Sequence, residues 1–120
     1  MTSGLLEKVR AIALEQPGAT ERLSHGSLSW FVETAPMFAS FDDHHHGADH
    51  VAIWAAAPDG VQSALVQQDD ELWFVPPYVG ARGWIGMRLS DDTDWSIVED
   101  VLAEAWETVA KPAQRARLVL

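Results

Sequence analysis

The sequence predicts an α+β domain with two layers, in which helices cover one face of an antiparallel sheet of about five to six strands. Three observations support this fold class. Apolar residues recur with the helical period near both ends of the chain, they alternate with small or polar residues in the middle, and polar turn segments separate successive strands. The predicted order is α-β-β-β-α-β-β-α, and the 120 residues suit one domain.

Three segments have the spacing of an amphipathic helix. The first covers residues 5–16 and ends at Pro17-Gly18, and the second opens at Pro58-Asp59-Gly60 and runs to about Gln68. The third follows three aspartates that can cap its first turn, and it ends before Lys111-Pro112. Its predicted buried stripe is Trp95, Val98, Leu102, Ala105, Trp106 and Val109.

Period-two alternation predicts five strands, at residues 27–32, 37–41, 51–56, 72–75 and 84–89. In the first of them Leu28, Trp30 and Val32 alternate with Ser27, Ser29 and Phe31. The polar stretch between the second and third strands predicts a hairpin with its tip at residues 44–47.

Composition and charge narrow the function classes. The chain has no Cys, so it has no disulfide, thiolate chemistry or cysteine-based zinc site. Its apolar residues, 48% of the total, are sufficient for a hydrophobic core. No apolar run is long enough to span a membrane, and the N-terminus lacks the features of a signal peptide, so we expect a cytoplasmic protein. The net charge of −10 opposes long-range attraction to a phosphate backbone.

The most distinctive motif is Phe74-Val75-Pro76-Pro77-Tyr78-Val79-Gly80, followed by Gly83-Trp84. Weaker motifs accompany it in order: Pro17-Gly18-Ala19-Thr20-Glu21, Ser24-His25-Gly26, Met37-Phe38-Ala39, Asp94-Trp95 and Ala110-Lys111-Pro112. Over nearly the whole chain these motifs resemble the MmcQ/YjbR-like family of small bacterial proteins, so residues 1–120 are interpreted as one such domain. The resemblance implies an antiparallel α+β fold, DNA binding through a double-wing arrangement of the sheet, and no firmly attached enzymatic activity.

DNA is therefore the nominal partner through the family. Only a local cluster of cations can overcome the net charge, and the candidate contacts are Arg82, Arg88, Lys111, Arg115 and Arg117. The last three lie in residues 111–120, a segment without acidic residues. The chain reads Glu33-Thr34-Ala35-Pro36 where the family often has a glycine and a lysine, which removes one cation from the expected interface.

The alternative is a module that binds a protein or a small anionic ligand through the open face of the sheet. In this interpretation Arg82 is the cation of a pocket edged by Tyr78 and Trp84, and His25 is a further ligand-binding residue. A purely architectural role for this proline- and glycine-rich segment is the other possibility. The chain has no nucleophile elbow, phosphate loop or dinucleotide fingerprint, so we expect no enzyme and no cofactor, in a monomer or a homodimer.

The segment 44–50 contains the one metal-like pattern of the sequence. Strand geometry places alternate residues on one face, so His44 and His46 can share a metal with His50. A solvated hairpin tip explains the same residues, and a metal site normally needs partners that orient its ligands. We expect the solvated tip, with the metal as the alternative.

Overall fold

The computed structural model describes residues 2–44, 47 and 49–119. The chain begins with helix α1 (Thr2–Glu15) and strands β1 (Ala19–Ser24), β2 (Ser27–Val32), β3 (Met37–Asp43) and β4 (Val51–Ala55). It continues with α2 (Val61–Gln68), β5 (Trp73–Phe74), a 3-10 turn (Gly80–Arg82), β6 (Ile85–Leu89), α3 (Trp95–Val109) and α4 (Pro112–Leu118). The predicted α+β fold is confirmed, and β1 and α4 are elements that the periodicity had not indicated.

All six strands form one antiparallel sheet in the order β1-β2-β3-β4-β6-β5. The predicted hairpin joins β3 to β4, and the backbone N–H of His44 donates to the carbonyl of His50 at 3.1 Å. Residues that face each other across neighbouring strands lie on the same side of the sheet. The register therefore sorts every strand residue onto a helix-covered face or onto the opposite face.

Helices α1 and α3 contact each other and the strand β3, so both lie on one face. Four of the predicted stripe residues on α3 are fully buried: Val98, Leu102, Ala105 and Trp106. The indole N–H of Trp106 donates to the carbonyl of Pro17 at 2.7 Å, which fixes α3 to the end of α1. At the other end Asp94 caps α3 by accepting from the backbone N–H of Ser96 at 3.0 Å. Among the described residues, no helix is long and apolar enough to cross a bilayer.

In the described part of the chain no helix packs on the opposite face, and the connection that follows β5 brings Tyr78 and Val79 over it. Phe74, at the end of β5, pairs with Gly86 of β6, and its ring occupies the space that a Cβ on Gly86 would need. The chain can then turn at Gly80, where a Cβ would meet the side chain of Val75 at 2.6 Å. The two glycines thus let the proline-rich segment lie close to the sheet.

The last helix, α4, holds the turn between β2 and β3. Gln114 is its one buried residue, and its amide N–H group donates to the carbonyls of Val32 at 3.3 Å and Ala35 at 2.8 Å. Arg117 forms an ion pair with Glu33 in the same turn. These side-chain contacts explain how a short, polar C-terminal segment becomes an ordered helix.

Candidate functional site

The open face of the sheet contains a groove of about 500 Å³. Strands β2, β3 and β4 supply Ser29, Ser40 and Trp54, which are paired directly across the three strands and form its floor. We call this feature the sheet groove. The remaining lining residues are Ser24, His25 and Ser27 from the β1–β2 hairpin, Met37 at the start of β3, and Tyr78 and Val79 from the segment after β5.

The floor of the sheet groove holds one unsatisfied polar group. Ser29 donates its hydroxyl to the carbonyl of Ser27 at 3.1 Å, so its hydrogen-bonding capacity is partly used. Ser40 is only 5% exposed, and among the residues that the structure describes its hydroxyl has no hydrogen-bond partner. A buried hydroxyl without a partner is unfavourable by roughly 1–3 kcal/mol. A bound molecule or an ordered water that bonds to Ser40 would remove this cost.

Trp54 is held in place by Asp42, which lies on the same face of the sheet. Its indole N–H donates to Oδ2 of Asp42 at 3.1 Å, and Nε2 of His50 lies 3.1 Å from the same oxygen. The Asp42 side chain is 1% exposed, and the His50 ring packs 4.8 Å from the ring of Phe74. This buried cluster fixes the Trp54 ring and connects the floor of the sheet groove to the base of the β3–β4 hairpin.

Two lining residues have an unusual backbone conformation. His25 and Tyr78 have φ angles of 52° and 67°, in the left-handed region that favours glycine. At His25 the two-residue β1–β2 turn accounts for the positive φ, because such a turn needs it at both central residues. The left-handed Tyr78 has no such explanation in a hairpin, and strained residues of this kind occur at binding sites. Tyr78 is 72% exposed and lies at the rim of the sheet groove.

Among the described residues that line the sheet groove there is no Lys, Arg, Asp or Glu. The nearest cation by register is Arg22, which pairs with Ser29 across β1 and β2. Its guanidinium lies over the ring of Phe31 at 3.5 Å and donates to the carbonyl of Thr34 at 2.9 Å. The Arg22 guanidinium therefore contacts Phe31 and Thr34 and is not among the described residues that line the sheet groove.

The structure separates the residues that the sequence had grouped into one ligand pocket. His25 and Tyr78 line the sheet groove, whereas Arg82 lines a shallow depression beside Asp59 and Gln62 at the start of α2. Trp84 is 3% exposed and belongs to the core, and the Arg82 guanidinium lies 5.1 Å from the centre of its ring. Tyr78 and Arg82 thus face two different surfaces.

The five candidate DNA contacts do not form one basic surface. Arg88 lies on β6 beside β5, near one edge of the sheet, whereas α4 with Lys111, Arg115 and Arg117 packs near the β1–β2 edge. Arg82 lies in the connection between β5 and β6. The cations are therefore distributed over distant parts of the molecule.

Three of these cations are also engaged within the chain. Arg88 donates to the carbonyls of Asp70 and Glu71, each at 3.2 Å. Arg115 forms an ion pair of 3.7 Å with Glu107 and also donates to that residue's carbonyl. Arg117 donates to both carboxylate oxygens of Glu33, and this guanidinium lowers the pKa of Glu33 below its usual value.

The structure offers no metal centre in the residues that it describes, since no three metal-binding side chains converge there. His44 contacts its neighbour Asp43 at 2.7 Å, and His50 contacts Asp42 on the sheet. The third predicted ligand, His46, lies outside the described residues. The two described histidines therefore bind different carboxylates.

Sequence reasoning identified His25 and Tyr78 but missed the serines, Met37 and Trp54 of the sheet groove. The alternating strands did contain a signal, because Ser27, Ser29 and Ser40 occupy the positions that face away from the helices. Small polar residues on the open face of otherwise apolar strands leave a depression. The register that places them beside Trp54 was needed to see it.

Comparison with known proteins agrees with the motifs. A family model described as YjbR matches residues 14–108, which is most of the chain. The matched region contains all six strands and the complete lining of the sheet groove, but ends before α4. Searches of curated proteins and of solved structures gave no match. The extent of the family match establishes that the chain belongs to the YjbR family.

Proposed function

We propose that this YjbR protein is a non-enzymatic binding module that holds a small molecule in the sheet groove. The observation that supports the proposal most strongly is the Ser40 hydroxyl, which is buried at the floor and has no partner in the described chain. Native proteins satisfy nearly all buried polar groups, and exceptions often mark functional sites. A ligand that reaches the floor can supply the missing hydrogen bond.

The size and construction of the sheet groove support the same function. Its volume of about 500 Å³ lies in the range of small-molecule sites, which are mainly apolar with a few polar groups. Met37, Val79 and Trp54 supply the apolar surface, and serine hydroxyls supply the polar groups. The left-handed backbone at Tyr78, on the rim of the sheet groove, is also of a kind that occurs at binding sites.

DNA binding, which the family resemblance implies, has weaker support from this chain. The cations are dispersed and three are engaged with acidic residues or carbonyls, while the net charge of −10 repels phosphate. Fluorescence anisotropy with a short labelled duplex over a series of salt concentrations tests it directly. Binding that weakens steeply with salt would favour DNA, and we expect none even at low salt.

The direct test of the proposed function is an NMR titration of the ¹⁵N-labelled protein with a diverse set of small fragments. The set includes neutral, anionic and cationic compounds, both planar and non-planar. We expect some of them to shift the amide of Ser40 and the indole N–H of Trp54. The absence of any binder in the sheet groove would contradict the proposal.

Two serine variants provide a matched comparison. Ser40→Ala removes the unpartnered hydroxyl and is expected to weaken fragments that bond to the floor. Ser63→Ala removes an exposed hydroxyl on α2 that bonds to the carbonyl of Gly60, outside the sheet groove. The Ser63→Ala variant should therefore bind the fragments with the same affinities as the unmodified protein.

A further inference from the structure

We infer that the ligand of the sheet groove is an uncharged, planar heteroaromatic ring with hydrogen-bonding groups on its edge. This ligand class rests on the proposed function and adds to it the charge and the shape of the molecule. The chemistry is that of a nucleobase or an aromatic amide. Three features of the sheet groove lead to it: its charges, its aromatic and apolar surfaces, and its hydroxyl groups.

The charge of the ligand follows from the absence of Lys, Arg, Asp and Glu among the described lining residues. In the part of the chain that the structure describes, no Lys or Arg lines the sheet groove to pair with a carboxylate or a phosphate, and Arg22 contacts Phe31 and Thr34. An anion that left water would lose its hydration without gaining a counter-ion. The Asp42 carboxylate beside Trp54 on the same face of the sheet makes the environment less favourable still for an anion.

A cationic ligand lacks a carboxylate partner as well. None of the lining residues that the structure describes is Asp or Glu, and Oδ2 of Asp42 is shared between Trp54 and His50. The Asp42 side chain is buried, so a ligand in the groove has no access to it. The residues that line the site thus favour a neutral molecule over either charged form.

The shape of the ligand follows from the surfaces that face it. The floor is part of a β-sheet, and the small side chains of Ser29 and Ser40 leave room for a ring beside Trp54. Tyr78 presents an exposed ring at the rim, and aromatic rings favour offset or edge-on contact with another ring. The thioether of Met37 makes favourable contacts with aromatic rings.

The hydrogen-bonding edge follows from the hydroxyl groups. Ser24, Ser27 and Ser40 line the sheet groove, and none of their hydroxyls bonds to another described residue. A hydroxyl both donates and accepts, so a ring nitrogen, an amide or a carbonyl can satisfy it. Ser40 is the most buried of the three, so it provides the anchor.

Three probes of similar size separate the effect of the ligand's charge from that of its shape. Nicotinamide is neutral and planar, and nicotinate carries a carboxylate on the same planar ring. Cyclohexanecarboxamide is a neutral amide without an aromatic ring. Titrations of the ¹⁵N-labelled full chain near neutral pH follow the Ser40 amide and the Trp54 indole. We expect nicotinamide to bind at least about tenfold more tightly than either comparison compound. Ser40→Ala should weaken nicotinamide about fivefold, since it removes one hydrogen bond.

Each contrary result overturns a specific part of the ligand class. If nicotinate binds more tightly than nicotinamide, the inference that the ligand is neutral is wrong. If cyclohexanecarboxamide binds as tightly as nicotinamide, the inference that the ligand is planar is wrong. If Ser40→Ala binds nicotinamide with unchanged affinity, Ser40 is not the anchor. If nicotinamide fails while other fragments bind in the sheet groove, the ligand class is wrong and the proposed function stands. If no fragment of the diverse set binds there, the proposed function falls as well.

Discussion

Trp54 donates its indole N–H to the carboxylate of Asp42 at 3.1 Å, and both residues are buried on the face of the sheet that carries no helix. The same oxygen contacts His50. The tryptophan that forms part of the sheet groove therefore depends on a buried carboxylate that lies outside its lining. Neighbouring positions on β3 provide a controlled test of this dependence.

Asp42→Ala should lower the free energy of unfolding by about 1–3 kcal/mol, because it leaves the buried indole N–H of Trp54 without its acceptor. The same variant should weaken ligands of the sheet groove, since Trp54 loses its fixed position. Urea denaturation measures the stability and fragment titration measures the affinity.

Asp43→Ala is the matched control: this exposed carboxylate contacts His44 at the surface, so its loss should cost less than about 0.5 kcal/mol. Equal effects of the two substitutions would contradict the role of Asp42.

At position 78 we expect stability to favour glycine, because of the backbone conformation, and ligand binding to favour tyrosine, because of its aromatic ring. Its φ angle of 67° suits glycine, so Tyr78→Gly should be about 1 kcal/mol more stable than Tyr78→Ala. Both variants lose the aromatic ring, so this comparison isolates the backbone conformation. Both should also bind planar fragments more weakly than the unmodified protein. Thermal or urea unfolding of the two variants gives the difference, and a more stable Tyr78→Ala would show that the left-handed backbone carries no strain.

Gly86→Ala should destabilise the protein by about 1–3 kcal/mol, because the new methyl group overlaps the ring of Phe74. Displacement of Phe74 would also move the segment that carries Tyr78. Gly4→Ala is the control: a Cβ there meets no atom within 4 Å, and alanine favours the helix α1. Urea denaturation should therefore show a loss at position 86 and no loss at position 4. If Phe74→Leu in the same chain restores the stability of Gly86→Ala, the ring is confirmed as the obstacle.

Low pH should destabilise the fold, because it protonates glutamate carboxylates that form ion pairs with arginine in the folded protein. Hydrogen bonds from Arg10 lower the pKa of Glu21, and those from Arg117 lower the pKa of Glu33, below the ordinary value of 4.5. A carboxyl group with a lowered folded pKa stabilises the fold at pH values above its unfolded pKa. This contribution is lost as the pH falls through the folded pKa, because the native state must then take up the proton. The free energy of unfolding should therefore change little between about pH 7 and 5 and fall below about pH 4.5.

Glu21→Gln identifies one source of this acid dependence. It should cost about 1 kcal/mol at neutral pH and progressively less as the pH falls through the folded pKa of Glu21, so the pH profile becomes flatter. Glu99→Gln is the control, since Glu99 is an exposed residue of α3 and has no ion pair in the described part of the chain. Urea denaturation at several pH values measures both profiles. A Glu21→Gln profile as steep as that of the unmodified protein would show that this ion pair does not contribute.

The elements that the sequence predicted correctly share a strong periodic signal. Helix α3 has a continuous apolar stripe and an aspartate cap, and strands β2, β3 and β4 alternate clearly. β1 has no such signal, because it is an edge strand whose residues are partly exposed. Its order depends on pairing with β2 and on the contact of Glu21 with Arg10 of α1. α4 depends in the same way on Gln114 and its partners in the β2–β3 turn.

The sequence by itself determined the family and the fold class, because local periodicity and a dense run of proline and glycine are readable without distant contacts. Only the tertiary structure decided that Tyr78 and Arg82 face different surfaces and that the buried Ser40 hydroxyl has no partner among the described residues. The physical reason is that register and loop geometry bring Ser29, Ser40, Trp54 and Tyr78 together from separate parts of the chain. A serine in a strand carries no signal of its own, and it acquires one only when its neighbours on the sheet are known.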